Sequence, residues 1–159
     1  MTARAGDRRK GREHALQVLF QLDISPQDTS AAQEEFWRDR KVADSVRAFA
    51  DRLVCGAMEH KGVIDEILMS TVHNWRLERI AVVDRNILRM AICEFLIEPE
   101  TPPIVVIDEA IEIAKKFGND DSGQFVNGIL DAIRLKLEND ELDLPEGLPL
   151  PGEPTRTTS

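Results

Sequence analysis

The side chains whose types could do chemistry fall into four sets: three histidines (His14, His60, His73), two cysteines (Cys55, Cys93), a run of acids (Asp108, Glu109, Glu112), and a cationic cluster (Arg8, Arg9, Lys10, Arg12). The histidines are far apart. None belongs to an HExxH pair and none lies three residues after a glutamate, which excludes the zinc-peptidase and di-iron bundle patterns. The cysteines form no CxxC, and each sits inside an apolar helical pattern, so both are expected to be reduced core thiols. Paired carboxylates can do acid–base work. Here the apolar stripe Ile107, Ala110, Ile111 and Ala114 faces away from the acids, which are therefore expected to be a solvated face. P-loop, GxGxxG and GxSxG patterns are absent. Neither catalysis, nor a metal, nor a cofactor is expected.

The cationic cluster is different. Guanidinium forks match phosphate geometry and stack on unpaired bases. Positions 8, 9 and 12 share one side if they are helical, and a helix N-terminus adds partial positive charge. The net charge of −9 argues against nucleic acid only until its distribution is considered. Residues 1–12 hold five basic groups and one acid, for a local charge of +4. Past Lys136 the only basic residue is Arg156, among six acids. A cationic front on an acidic body can hold phosphate locally while repelling polyanions elsewhere. A solvated basic tail is the alternative that these residues alone leave open.

The elements that must position this front read as helices. Residues 1–8 are expected to be a flexible basic arm, 9–138 a helical domain, and 139–159 an acidic, proline-rich, disordered tail. Ala15, Leu16, Leu19 and Phe20 fall on one helical face. Ser25-Pro26 stops that helix, and a short one is expected around 34–37. Val46, Phe49, Ala50, Leu53, Val54 and Ala57 make the clearest stripe. Gly62 is expected to break or kink the chain before Ile64, Ile67, Leu68 and Val72. Ile87 to Leu96 forms a further face, and Pro102 and Pro103 open the next helix. Gly118 is expected to cap it, with Asp120, Asp121 or Ser122 starting the last helix. Gly128, inside that last helix, predicts close approach of a neighbouring helix. No apolar run reaches membrane-spanning length and no signal-peptide core follows the basic start, so a cytoplasmic protein is expected.

Three segments resemble the NusB family. They are Val83-Asp84-Arg85-Asn86-Ile87-Leu88-Arg89-Met90-Ala91-Ile92-Cys93-Glu94-Phe95, then the EAIEIAKKFG run from Glu109 to Gly118, then DSGQFVNGILD from Asp121 to Asp131. The basic start Arg8-Arg9-Lys10-Gly11-Arg12-Glu13, followed by Ala15, Gln17, Leu19 and Phe20, is similar to the family's first helix. Gly123 and Gln124 stand where many members carry His and Lys, and Phe20 where Tyr is common.

The resemblance implies an all-α fold of two perpendicular helical bundles, about seven helices in all. It implies transcription antitermination without catalysis: binding of single-stranded boxA-type RNA together with the ribosomal protein that doubles as NusE, within an elongation complex of RNA polymerase serving ribosomal RNA operons. By the same resemblance, RNA contacts fall on Arg8, Arg9, Lys10, Arg12, Gln124, Phe125 and Asn127, and partner contacts on Phe20, Asp84, Arg85 and Asp121. Each has an alternative. Phe125 also fits the core stripe of the last helix, Gln124 and Asn127 suit a plain polar face, and Asp84 and Asp121 suit helix capping. Two other functions stay open: a NusB-like protein adaptor without RNA, and the accessory domain of an RNA methyltransferase. The chain ends soon after its last helical stripe, without a cofactor-binding region, which favours the first function over the last. Pairing of two copies through the partner faces also stays open.

Overall fold

The computed structural model describes residues 5–72 and 76–148. Of the features expected above, residues 1–4, His73 and the end of the tail from 149 lie outside the described residues. Seven α-helices and one 3-10 turn account for the regular structure of the described part, which contains no strand. They are α1 (Ala5–Ile24), α2 (Thr29–Trp37), α3 (Asp44–Glu59), α4 (Lys61–Thr71), the turn Leu77–Arg79, α5 (Val82–Ile97), α6 (Pro103–Phe117) and α7 (Ser122–Glu138).

Helix α5 is the axis of the fold. It touches α1, α3, α4, α6 and α7, and every residue from Ile87 to Leu96 is buried. A helix apolar on nearly all sides must be surrounded. Helices α1, α2 and α3 pack on one another, and α6 packs on α7, so α5 serves both groups. Two glycines permit this closeness. A Cβ on Gly11 of α1 would lie 2.9 Å from Phe49 of α3, and one on Gly56 of α3 would lie 2.6 Å from Ile97 of α5.

Several sequence expectations are corrected. Helix α1 starts at Ala5, not Arg9, so Asp7 and Arg8 are helical. The extension is anchored: Ser45 Oγ donates to Asp7 (3.0 Å), and the Arg8 guanidinium lies 4.6 Å from the Phe49 ring centre. Helix α2 starts at Thr29, since Asp28 accepts the Ala31 N–H at 3.0 Å as its N-cap. Gly62 breaks nothing; it sits exposed in the first turn of α4. Gly118 does cap α6, but in an extended conformation (φ −92°). Its lack of a side chain is needed because a Cβ would sit 2.8 Å from the Ala114 carbonyl oxygen. At Gly128 nothing beyond its own helix backbone lies within 4 Å of where a Cβ would be, so among the described residues no helix approaches there. Cys55 is exposed, while Cys93 is buried and its thiol pKa is pushed up by burial. The segment 139–148 is not wholly solvated, because Leu142, Leu144 and Leu148 pack against the core.

Candidate nucleic-acid and partner interface

Helices α1 and α5 run antiparallel, joined by two polar clusters. Near the start of α1, Arg12 donates to both oxygens of Glu94, from Nε at 2.8 Å and from Nη2 at 2.6 Å. Arg12 is 3 % exposed and Glu94 1 %. Near the other end, Asp23 Oδ2 accepts from Arg85 (2.7 and 2.9 Å), Asn86 (2.9 Å) and Arg89 (3.2 Å). Burial works against the Asp23 carboxylate, yet the hydrogen bonds from Arg85 and Asn86 and the two guanidinium charges hold its carboxyl below the usual range. These two clusters are separated by about 17 Å along α1, at 1.5 Å per residue.

Arg12 is therefore not a phosphate contact. Its fork is taken by Glu94 inside the protein. The sequence placed it with Arg8 and Arg9 because the residue types match, but the helix turns it inward. Arg85 is likewise committed. Besides Asp23 it donates to the Leu77 carbonyl at 3.1 Å, tying α5 to the turn before it.

Of the remaining front-end cations, Lys10 and Arg9 face outward and Arg8 does not. Lys10 is exposed. Arg9 is half exposed and reaches across to α6, meeting Glu109 at 2.9 and 3.0 Å. That hydrogen bond and charge raise the Arg9 pKa and lower that of Glu109. The α6 acids are thus not a uniform solvated face: Asp108 and Glu112 are exposed, whereas Glu109 is a counterion for Arg9. Arg8 is half-buried, and its Nη1 has no hydrogen-bond partner.

Sequence reasoning missed Lys115 and Lys116 in the last turn of α6. Lys116 meets Glu13 of α1 at 3.1 Å, and Lys115 pairs with Glu112 at 3.5 Å. A cleft of about 370 Å³ lies among Arg9, Glu13, Glu112, Ile113, Lys115 and Lys116. The Lys115 stem would lie 3.5 Å from a Cβ on Gly123, in the first turn of α7. Gln124, the next residue, is exposed, as is Asn127, and Phe125 is half-buried against the core. The signal was present in the AKKFG run, whose two lysines fall where a helix's negative C-terminal end attracts cations. The structure thus brings Arg9 to Lys115 and Lys116 around one cleft beside the start of α7, where Gln124 and Asn127 are exposed; Lys10, also exposed, follows Arg9 on α1.

The acidic candidates divide. Asp121 is exposed beside that surface, at the start of α7, and its side chain makes no cap hydrogen bond. Asp84 lies in the first turn of α5, 6 % exposed, with Oδ1 lacking any hydrogen-bond partner. Phe20 is half-buried on the outer side of α1. The two candidate sets therefore do not coincide: Asp84 and Arg85 sit toward the C-terminal end of α1, and the cations toward its N-terminal end. Among the described residues no cluster of His, Cys, Asp or Glu could hold a metal ion, and no helix is long and apolar enough to cross a membrane.

The NusB family profile matches residues 9–134. The transcription antitermination protein NusB of Koribacter versatilis is 45% identical over 139 residues, spanning 87% of this chain and 95% of its own. That of Sorangium cellulosum is 44% identical over 128 residues, spanning 80% and 91%. Among solved structures, T. maritima NusB superimposes with a TM-score of 0.77 at 38% identity, covering 89% of this chain and 100% of that one. A structure of antitermination factors NusB and NusE in complex with dsRNA gives 0.73 at 27% identity, covering 82% and 97%.

Proposed function

The chain belongs to the NusB family, and from that premise we propose that it is a transcription antitermination factor whose α1–α6–α7 surface holds RNA while Asp84 and Asp121 meet a NusE-type ribosomal protein. It is not an enzyme; its mechanism is assembly within the transcribing RNA polymerase complex, in the cytoplasm. One observation carries the RNA assignment: cations from two separate helices, Arg9 on α1 with Lys115 and Lys116 on α6, line one cleft beside the start of α7, which exposes the amides of Gln124 and Asn127. Phosphates are drawn by the cations, and base edges meet the amide donors and acceptors. The RNA is a boxA-type single-stranded element, whose unstacked bases expose the edges such amides read.

The isolated surface is modest in charge, because Glu13, Glu109 and Glu112 lie within it. A partner that carries its own RNA contacts converts weak binding into tight binding by raising effective concentration. Asp84, in the first turn of α5, is the partner contact at that end, where its carboxylate suits a basic group. Phe20, on the outer ridge of α1, adds an apolar contact.

The test is a titration of boxA-type RNA, single-stranded and duplex, with and without the NusE-type protein. Single-stranded RNA is expected to bind weakly alone and at least tenfold more tightly with the partner. Pull-down of partner without any RNA binding would favour a protein adaptor instead.

A further inference from the structure

We propose that the cleft between α1 and α2 is a subsite for one unpaired nucleobase flanking the RNA segment held by the α1–α6–α7 surface. This rests on the RNA-binding function above and extends it to a region that no sequence motif marked.

The cleft has a volume of about 530 Å³, and Gln17, Gln21, Phe36 and Arg40 are among its lining residues. That is within the range of small-molecule sites. Its floor is a built stack. The Arg40 guanidinium lies 3.9 Å from the Phe36 ring centre, and its Nη1 donates to the Phe36 carbonyl at 2.6 Å. Beneath it the Phe36 ring is held edge-to-face by Trp37 (4.8 Å) and His14 (5.6 Å), and the Trp37 indole N–H donates to Asp51 at 2.8 Å. Arg40 is exposed, and among the described residues it joins no ion pair. An exposed guanidinium carried on an aromatic ring is a stacking platform for a base.

The surroundings favour a base over a phosphate. Arg38 and Arg40 are balanced by Glu35 and Asp39 around the cleft, so it offers no excess positive charge. The exposed amides of Gln17 and Gln21 supply both donors and acceptors for a base edge. The path also exists. On α1, Arg9 and Glu13 lean toward α6, while His14 and Gln21 lean toward α2. Lys10 and Gln17 are exposed on the ridge between, about 10 Å apart along the helix. A strand leaving the cationic surface crosses this ridge into the cleft.

The experiment uses the full chain with its NusE-type partner and two RNAs, a minimal segment and the same segment extended by three nucleotides at either end. Wild type is expected to bind one extended RNA roughly tenfold more tightly, the worth of a single stacked base. Arg40→Ala should abolish that gain and leave the minimal RNA unchanged. Arg40→Lys should lose most of it, because an ammonium keeps the charge but not the plane. Gln21→Ala, at an exposed position, should reduce the gain with an unchanged melting midpoint. Absence of any gain in wild type, or a full gain in Arg40→Ala or Arg40→Lys, overturns the subsite. Arg9→Ala separates the two proposals: it should weaken both RNAs equally. If it weakens neither, Arg9 leaves the RNA surface; if wild type binds neither RNA, the RNA function fails and the subsite with it.

Discussion

Replacing Arg12 by alanine separates a structural cation from an RNA-binding one. Arg12 and Glu94 are almost wholly buried and share two short, charge-assisted hydrogen bonds. Removing the guanidinium leaves Glu94 charged, 1 % exposed and with its nearest donor gone. Breaking a buried pair this way costs about 3–5 kcal/mol, because the remaining charge is uncompensated. That is a large share of the ~5–15 kcal/mol that holds a domain together. At roughly 2–4 °C per kcal/mol for a chain of this size, the melting midpoint should fall by roughly 6–20 °C. The assay is urea unfolding with a calorimetric check, alongside RNA titration at a temperature where the variant stays folded. The double variant Arg12→Met, Glu94→Leu should recover most of the loss, since an apolar pair of similar volume avoids the desolvation cost. RNA affinity and its salt dependence should match wild type. A stability loss under ~1 kcal/mol, together with a flattened salt dependence, would refute the burial argument and return Arg12 to the RNA face.

The exposed cations should behave in the opposite way. Arg9→Ala, Lys10→Ala and Lys116→Ala combined should leave the fold nearly unchanged and flatten the log–log salt slope for single-stranded RNA by about 2, at ~0.7 per charge; an unchanged slope removes these residues from the interface. Gly128→Ala should stabilise the isolated protein by about 1 kcal/mol, because α7 is open at that point and glycine is a poor helix former; a lower unfolding midpoint would show a hidden contact. His14 has its pKa lowered, first by burial and then by the charge of Arg40, with Glu13 opposing and Lys10 adding to the effect. The unfolded chain therefore takes up a proton first, and stability should fall as pH drops below the ordinary imidazole value of 6.5, levelling once the folded form also protonates. His14→Gln should remove that slope in a pH series of thermal melts; the same slope in the variant would assign it to another group.

What could be read from the sequence was whatever rests on local periodicity. The α3, α5, α6 and α7 stripes and the proline start of α6 depend on neighbours within one or two turns, and all appear in the structure. The family motifs also pointed to Gln124, Asn127 and Asp121, which the structure leaves exposed. The sequence could not reveal which way a cation turns when its partner is far along the chain. Arg12 meets Glu94 and Arg85 meets Asp23, and neither pairing leaves a local trace. The same holds for Lys116, whose position beside Arg9 depends on α1 and α6 both packing on α5. Gly128 misled for a related reason. A helical glycine signals close approach only when something approaches, and spacing alone does not show what lies opposite.

The charge problem posed by the sequence, a strongly acidic chain assigned to RNA, resolves in the same geometry. The acids nearest the cationic front are spent on it: Glu109 faces Arg9, and Glu13 faces Lys116. These pairs join half-exposed cations, and exposed ion pairs contribute little net stability, so an incoming phosphate can exchange with them at small cost. Yet the carboxylates would stay beside a strand bound there and oppose it. A surface arranged this way discriminates against arbitrary polyanions, since only a ligand with further contacts offsets the repulsion. On the proposed RNA surface, the amides of α7 and a protein partner would supply such contacts. On this argument the acidic body is what makes binding conditional on assembly. Neutralising Glu109 and Glu112 with glutamine should therefore raise RNA affinity without the partner more than with it, and an equal gain in both states would break the link between charge and conditional binding.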